Sequence, residues 1–169
     1  MNAFRTLIVG FALIVGAAAS ASAQTSLTTL GGTKIDVQAQ DGKVVILAVG
    51  ARWLPLSNKQ AAFTEALAKK YAGRDVVVYF VAADSTSPKS KNYAANDDLR
   101  EFAASNKLTV TILRDPDGAA TLKKFGIDQL PSFVILDKRG SRVGEPFSGI
   151  DPKFDITVPI SKTVDRLLQ

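Results

Sequence analysis

The chain has no cysteine and no histidine, and its single methionine is Met1. Those gaps remove whole classes of chemistry. Without a thiol there is no disulfide, no cysteine nucleophile and no thiolate to hold zinc, copper or an iron–sulfur cluster. Without imidazole there is no side chain whose ordinary pKa lies near neutrality, and the commonest transition-metal ligand is missing. No Gly-rich phosphate-cradling loop is present either, since Gly31-Gly32 reads only as a turn. No cofactor is therefore expected. The charge is mildly basic, with 21 Lys+Arg against 16 Asp+Glu. The basic residues are scattered (Lys69-Lys70, Lys123-Lys124, Lys138-Arg139) and have no aromatics interleaved, which describes solvated faces and not a nucleic-acid footprint.

The N-terminus has the layout of a secretion signal. Arg5 supplies a positive start, Leu7 to Ala19 is almost unbroken apolar sequence, and Ala21-Ser22-Ala23 is a small-x-small cleavage site. Cleavage there would leave Gln24 as the first residue, while cleavage after Ala21 is the alternative register. The apolar run falls short of the roughly 20 residues that span a bilayer. A lipid-anchored form is excluded because a lipobox requires cysteine. The expectation is signal peptide 1–23 and one domain 24–169, periplasmic or secreted, with no stable membrane insertion after signal removal. The mature chain then carries 20 Lys+Arg, because Arg5 is lost, and a net charge of about +4. One core suffices for a domain of this length.

Periodicity predicts the order of elements. Thr25 to Leu30 reads as a polar lead-in and Thr33 to Val37 as a short strand. Lys43 to Val49 and Asp75 to Ala83 are continuous β-branched runs of the kind buried on both faces of a sheet. Between them, from Ser57, apolar residues fall at Ala61, Ala62, Phe63, Ala66, Leu67 and Tyr71, a helical spacing that stops at Gly73. Asp84 to Ala95 reads as a surface loop. A helix starts at Asn96-Asp97-Asp98, where acidic and amide side chains suit the free N–H groups. Leu108 to Leu113 reads as a strand, Asp115-Pro116-Asp117-Gly118 as a turn, and Ala119 to Phe125 as a short helix. Ser132 to Leu136 and Arg142 to Phe147 form a hairpin, and Pro159 to Leu168 a terminal helix. Strand and helix alternate twice before the hairpin, which predicts an α/β domain: a central mixed β-sheet flanked by helices on both faces.

Four segments, in order, resemble the thioredoxin superfamily, and most of all its periplasmic TlpA-like thiol–disulfide oxidoreductase branch. They are Gly42 to Leu47, Trp53-Leu54-Pro55-Leu56-Ser57, Asn106 to Val110 continuing through Asp115-Pro116-Asp117-Gly118, and Phe125-Gly126-Ile127 to Leu130-Pro131-Ser132 and on to Asp137. The resemblance covers about residues 30–151, with the terminal helix at about 159–168. It implies a thioredoxin-like fold and a cis-proline at Pro131 lying beside Leu54 and Ser57. It also implies that Leu54 and Ser57 stand where Trp-Cys-x-x-Cys carries its two cysteines.

Leu54 has no ionisable group and Ser57 cannot form a disulfide, so dithiol exchange is excluded. A serine nucleophile needs a base; there is no histidine, and no Asp or Glu between Asp41 and Glu65. Helix capping is the expected role of Ser57. Trp53 reads equally as a core filler or as an exposed platform. Leu54 and Leu56 beside Trp53, Pro55 and Leu130-Pro131 would make a small apolar patch, although two exposed leucines are also ordinary. Asp115-Pro116-Asp117-Gly118 lacks the remaining ligands of a calcium loop, so no metal is expected.

The leading expectation is a redox-inactive, exported domain that binds a protein or peptide. Its groove would comprise Trp53, Leu54, Pro55, Leu56, Ser57, Leu130, Pro131 and Ser132, with strand addition beside the cis-proline. The alternatives are a family member acting in periplasmic redox or cytochrome maturation pathways with a partner's thiols, and a chaperone-like holdase.

Overall fold

The computed structural model describes residues 25–169. The expected signal peptide lies outside them. Seven strands are interleaved with four helices: β1 (Ser26–Thr29), β2 (Lys34–Asp36), β3 (Val44–Gly50), α1 (Ser57–Lys70), β4 (Val76–Ala82), α2 (Asn96–Ser105), β5 (Thr111–Arg114), α3 (Thr121–Phe125), β6 (Ser132–Leu136), β7 (Phe147–Ser148) and α4 (Thr157–Leu167). They build one mixed sheet in the order β2-β1-β5-β4-β3-β6-β7. The β3–β4 and β4–β5 pairs are parallel, and β6 runs antiparallel to β3.

Alternation along β3 explains both cores. Val44, Ile46 and Ala48 face a cluster shared with Ala61, Phe63 and Leu67 of α1, Leu99 and Phe102 of α2, and Ile160 and Val164 of α4. Val45, Leu47 and Val49 face the other side, where they meet Phe125 at the end of α3, Ile127 and Leu27. Helices therefore cover both faces, three on one and the short α3 on the other. Every residue of β3 is buried, which is why its sequence shows no polar alternation.

Several expectations shift. Ser26–Thr29 is no lead-in: it is a strand that pairs with β2 and with β5, and it buries Leu27. The strand expected from Leu108 begins at Thr111. The hairpin partner of β6 reduces to Phe147–Ser148, with one bridge from Leu136 to Arg142. Pro146 interrupts it, because proline has no N–H to give the ladder. Helix α4 opens two residues early at Thr157, which still leaves Pro159 in the first turn, where N–H groups have no helical partner.

Candidate functional site

Two connections leave the same end of neighbouring strands. After β3 the chain passes through Ala51 and Arg52 into the Trp53–Leu56 turn, which opens α1. Before β6 stands the Leu130–Pro131 bond, which is cis. Val49 pairs with Ser132 in the β3–β6 register, so Pro131 lies one residue past the last pair, at the sheet end where the 53–56 turn departs.

The eight candidate residues divide by exposure. Trp53 is 48% exposed, so it is not a core filler. Pro55 is exposed; Leu54, Leu56 and Leu130 are half-buried; Ser57, Pro131 and Ser132 are buried. Leu56 packs on the α1-side core and Leu130 on the other. The accessible apolar surface is thus Trp53, Pro55 and parts of Leu54, Leu56 and Leu130. Among the described residues no protein acceptor meets the N–H of Gln129 or Leu130, so both donors stay available beside the cis bond.

Ser57 does not cap α1. Its hydroxyl, 3% exposed, donates to the Arg52 carbonyl at 3.0 Å and closes the turn on itself. The Arg52 peptide is clamped from its other side as well, since its N–H donates to Asp84 Oδ2 at 3.2 Å. The Arg52 guanidinium donates to the Tyr93 carbonyl at 3.2 Å and stands 3.9 Å from Asp98. The sequence places Asp84 at the start of a polar loop, yet it is fully buried. Burial pushes its carboxyl above the usual carboxylate range, opposed by the Arg52 N–H and the Arg52 and Arg114 charges. A carboxylate therefore does approach the turn, from the end of β4. It serves the backbone, and the Ser57 hydroxyl it would have to activate is already spent on a carbonyl.

Gln60 is the residue that sequence reasoning missed. One turn into α1 and fully buried, its Nε2 donates to the Val49 carbonyl at 3.0 Å and to the Ser132 carbonyl at 3.1 Å. A single amide thus ties α1 to β3 and to β6 at the point where the turn and the cis-proline segment leave the sheet. Its Oε1 is buried without a partner. Gly50 makes room for it, because a Cβ there would fall 2.0 Å from Oε1. The only sequence signal was a polar residue on the buried stripe of a helix, three positions after Ser57.

Asp115 behaves as a turn residue. Its carboxylate accepts the N–H groups of Ala120 and Thr121 and the Thr121 hydroxyl, at 2.9, 2.8 and 2.6 Å. Among the described residues no group of His, Cys, Asp and Glu is arranged to hold a metal, and no helix is long and apolar enough to cross a membrane.

Comparison with known proteins agrees with this geometry. The Redoxin family matches residues 15–160. The thiol-disulfide oxidoreductase ResA of Bacillus thuringiensis is 28% identical over 119 residues, covering 70% of this chain and 63% of that protein. The thioredoxin-like protein YneN of Bacillus subtilis is 32% identical over 115 residues, covering 68% and 62%. The chain thus spans less than two thirds of the length of these relatives. Among solved structures, the exposed lipoprotein thioredoxin of Streptococcus pneumoniae superposes with a TM-score of 0.65 at 26% identity, covering 85% of this chain and 99% of that one. A thioredoxin-like protein of Aeropyrum pernix gives 0.64 at 22%, covering 85% and 88%, which speaks to the fold alone. The chain has the thioredoxin-like fold, with leucine and serine at the two cysteine positions of the thiol–disulfide oxidoreductases it resembles, and it belongs to the Redoxin family.

Proposed function

We propose that this protein is an exported binding module that captures an extended protein or peptide segment beside the cis-proline and carries out no dithiol exchange of its own. The observation that carries the reading is the pairing of a half-exposed Trp53 with a turn from which both thiols are gone. Strand addition needs only main-chain donors and acceptors and shallow apolar contacts. The free N–H groups of Gln129 and Leu130 supply donors, and Trp53, Leu54, Pro55 and Leu130 supply apolar contact. The test is Leu54→Asp. Partner capture from a periplasmic extract should fall to background while the circular dichroism spectrum and unfolding midpoint stay close to the parent. Equal capture by the variant would remove the groove as the interface.

A second reading draws on the relatives' activity: a thiol–disulfide pathway in which a partner provides the sulfur. The cysteine-free protein alone should give no acceleration of insulin reduction. Robust turnover would overturn the binding-module reading.

A further inference from the structure

At the carboxyl ends of β4 and β5, a cavity of about 280 Å³ is lined by Thr86, Tyr93, Ala94, Ala95, Asn96 and Arg114. Two independent features converge on it. The first is the start of the ten-residue helix α2, whose N-cap residue, Ala95, has no side chain to satisfy the first-turn N–H groups. Those groups and the helix dipole favour a negative charge at that end. The second is Arg114, the last residue of β5, which is only 7% exposed. Its Nη1 donates to the Ala94 carbonyl at 2.9 Å, its Nε is buried without a partner, and no carboxylate forms an ion pair with it among the described residues.

A guanidinium stays charged at any ordinary pH. A buried cation without a directly paired counter-ion is costly, so a cavity with such a group in its wall is suited to an anion. The neighbouring acids, of which Asp97 and Asp98 lie in the first turn of α2 itself, each have a partner of their own. Asp98 accepts the Ala95 N–H at 2.8 Å, Asp117 accepts the Ser85 hydroxyl at 3.3 Å, and Asp97 pairs with Arg100. Asp84 feels the Arg114 charge but makes no ion pair with it, and its Oδ2 takes the Arg52 N–H. We infer that this cavity is a binding site for a small oxyanion-bearing ligand, held between the Arg114 guanidinium and the first turn of α2. None of its lining residues belongs to the cis-proline groove, and it does not depend on the function proposed there.

The test is an amide and arginine side-chain NMR titration of the full chain with sodium acetate and, separately, inorganic phosphate, against sodium chloride at matched ionic strength. Saturable shifts confined to Ala95, Asn96, Asp97 and the Arg114 Nε–H group are expected with at least one probe, and which probe saturates separates a carboxylate ligand from a phosphate ligand. Arg114→Met should abolish them. Arg114→Met also removes a buried hydrogen bond to the Ala94 carbonyl, so Thr86→Asp provides a second arm: it adds a negative charge at an exposed position on the cavity wall and should weaken binding about tenfold through like-charge repulsion of the anion. Leu54→Asp should leave the titration unchanged. Shifts that chloride reproduces, that never saturate, or that survive Thr86→Asp would overturn the site.

Discussion

Gln60→Glu tests the bracing of the turn by exchanging one atom. In the parent, Nε2 donates to two buried carbonyls, of Val49 and Ser132. A carboxylate in its place would point acceptors at acceptors, in a site with no solvent exposure. The variant must therefore fold with the introduced carboxyl protonated, donating to one carbonyl and abandoning the other, which costs about 1 kcal/mol for the lost bond at any pH. The larger effect is linkage. The folded pKa of that carboxyl is raised above the unfolded value of about 4.3, so the folded state holds a proton that the unfolded state has released. This further loss is absent below about pH 4 and grows by about 1.4 kcal/mol per pH unit as pH rises towards the folded pKa. From pH 5 to pH 7 the variant should lose about 2.7 kcal/mol relative to the parent. With a urea slope of about 2 kcal/mol/M, the difference in unfolding midpoint should widen by about 1.3 M over that interval. Circular dichroism in urea at pH 5, 6 and 7 measures it, and titrations common to both proteins cancel. A deficit that is the same at pH 5 and pH 7 would mean that the amide site is wet or mobile and does not tie the strands together.

Gly50→Ala should act through the same amide. Its Cβ would displace Oε1, so a loss of about 2 kcal/mol is expected in the parent and much less in a Gln60→Ala background, measured as non-additive midpoints. Two carboxylates should respond to acid in opposite senses. Asp84 is raised mainly by burial, so its stability term is full below about pH 4 and is lost as pH rises through its folded pKa; Asp84→Asn should flatten that decline. Glu65 is pushed up by burial but held lower overall by the Thr109 N–H and hydroxyl and by Lys69. Its term is present above about pH 4 and lost as pH falls, so Glu65→Gln should cost stability at pH 6 and little at pH 3. Chemical denaturation across pH 3–7 checks both.

The elements legible in the sequence are those whose residues answer to local chemistry. β3 and β4 are seven-residue runs of almost only apolar residues, and a strand buried on both faces looks the same wherever it occurs. β1 escapes because Ser26-Leu27-Thr28-Thr29 holds one apolar residue and owes its conformation to β2 and to the distant β5. At the site, the replaced cysteine positions and the cis-proline follow from motif order, whereas the exposure of Trp53 depends on how the turn packs. Asp84 and Gln60 are hidden for one shared reason. A polar residue in a polar run, or on a helix, reads as solvated unless the partner that buries it is known, and here those partners are Arg52, Val49 and Ser132, 11 to 72 residues away.

The bracing of the turn also bears on what the missing thiols leave behind. Gln60 and Asp84 each bury one oxygen with no partner, a cost of about 1–3 kcal/mol apiece. The side-chain hydrogen bonds of both go to main-chain groups, of Arg52, Val49 and Ser132, and not to Leu54 or Ser57. An apolar side chain of similar volume would avoid the cost of the orphaned oxygen but would leave those N–H and carbonyl groups without their partner. The gain that offsets the cost is therefore geometric: the Trp53 turn and the Leu130–Pro131 edge are held in fixed relation at one end of the sheet. Such rigidity is superfluous to a domain that merely needs to be folded, but it reduces the ordering cost of binding an extended segment. Under the proposed function, that lower ordering cost is what the Gln60 and Asp84 bracing contributes to capturing an extended segment beside the cis-proline.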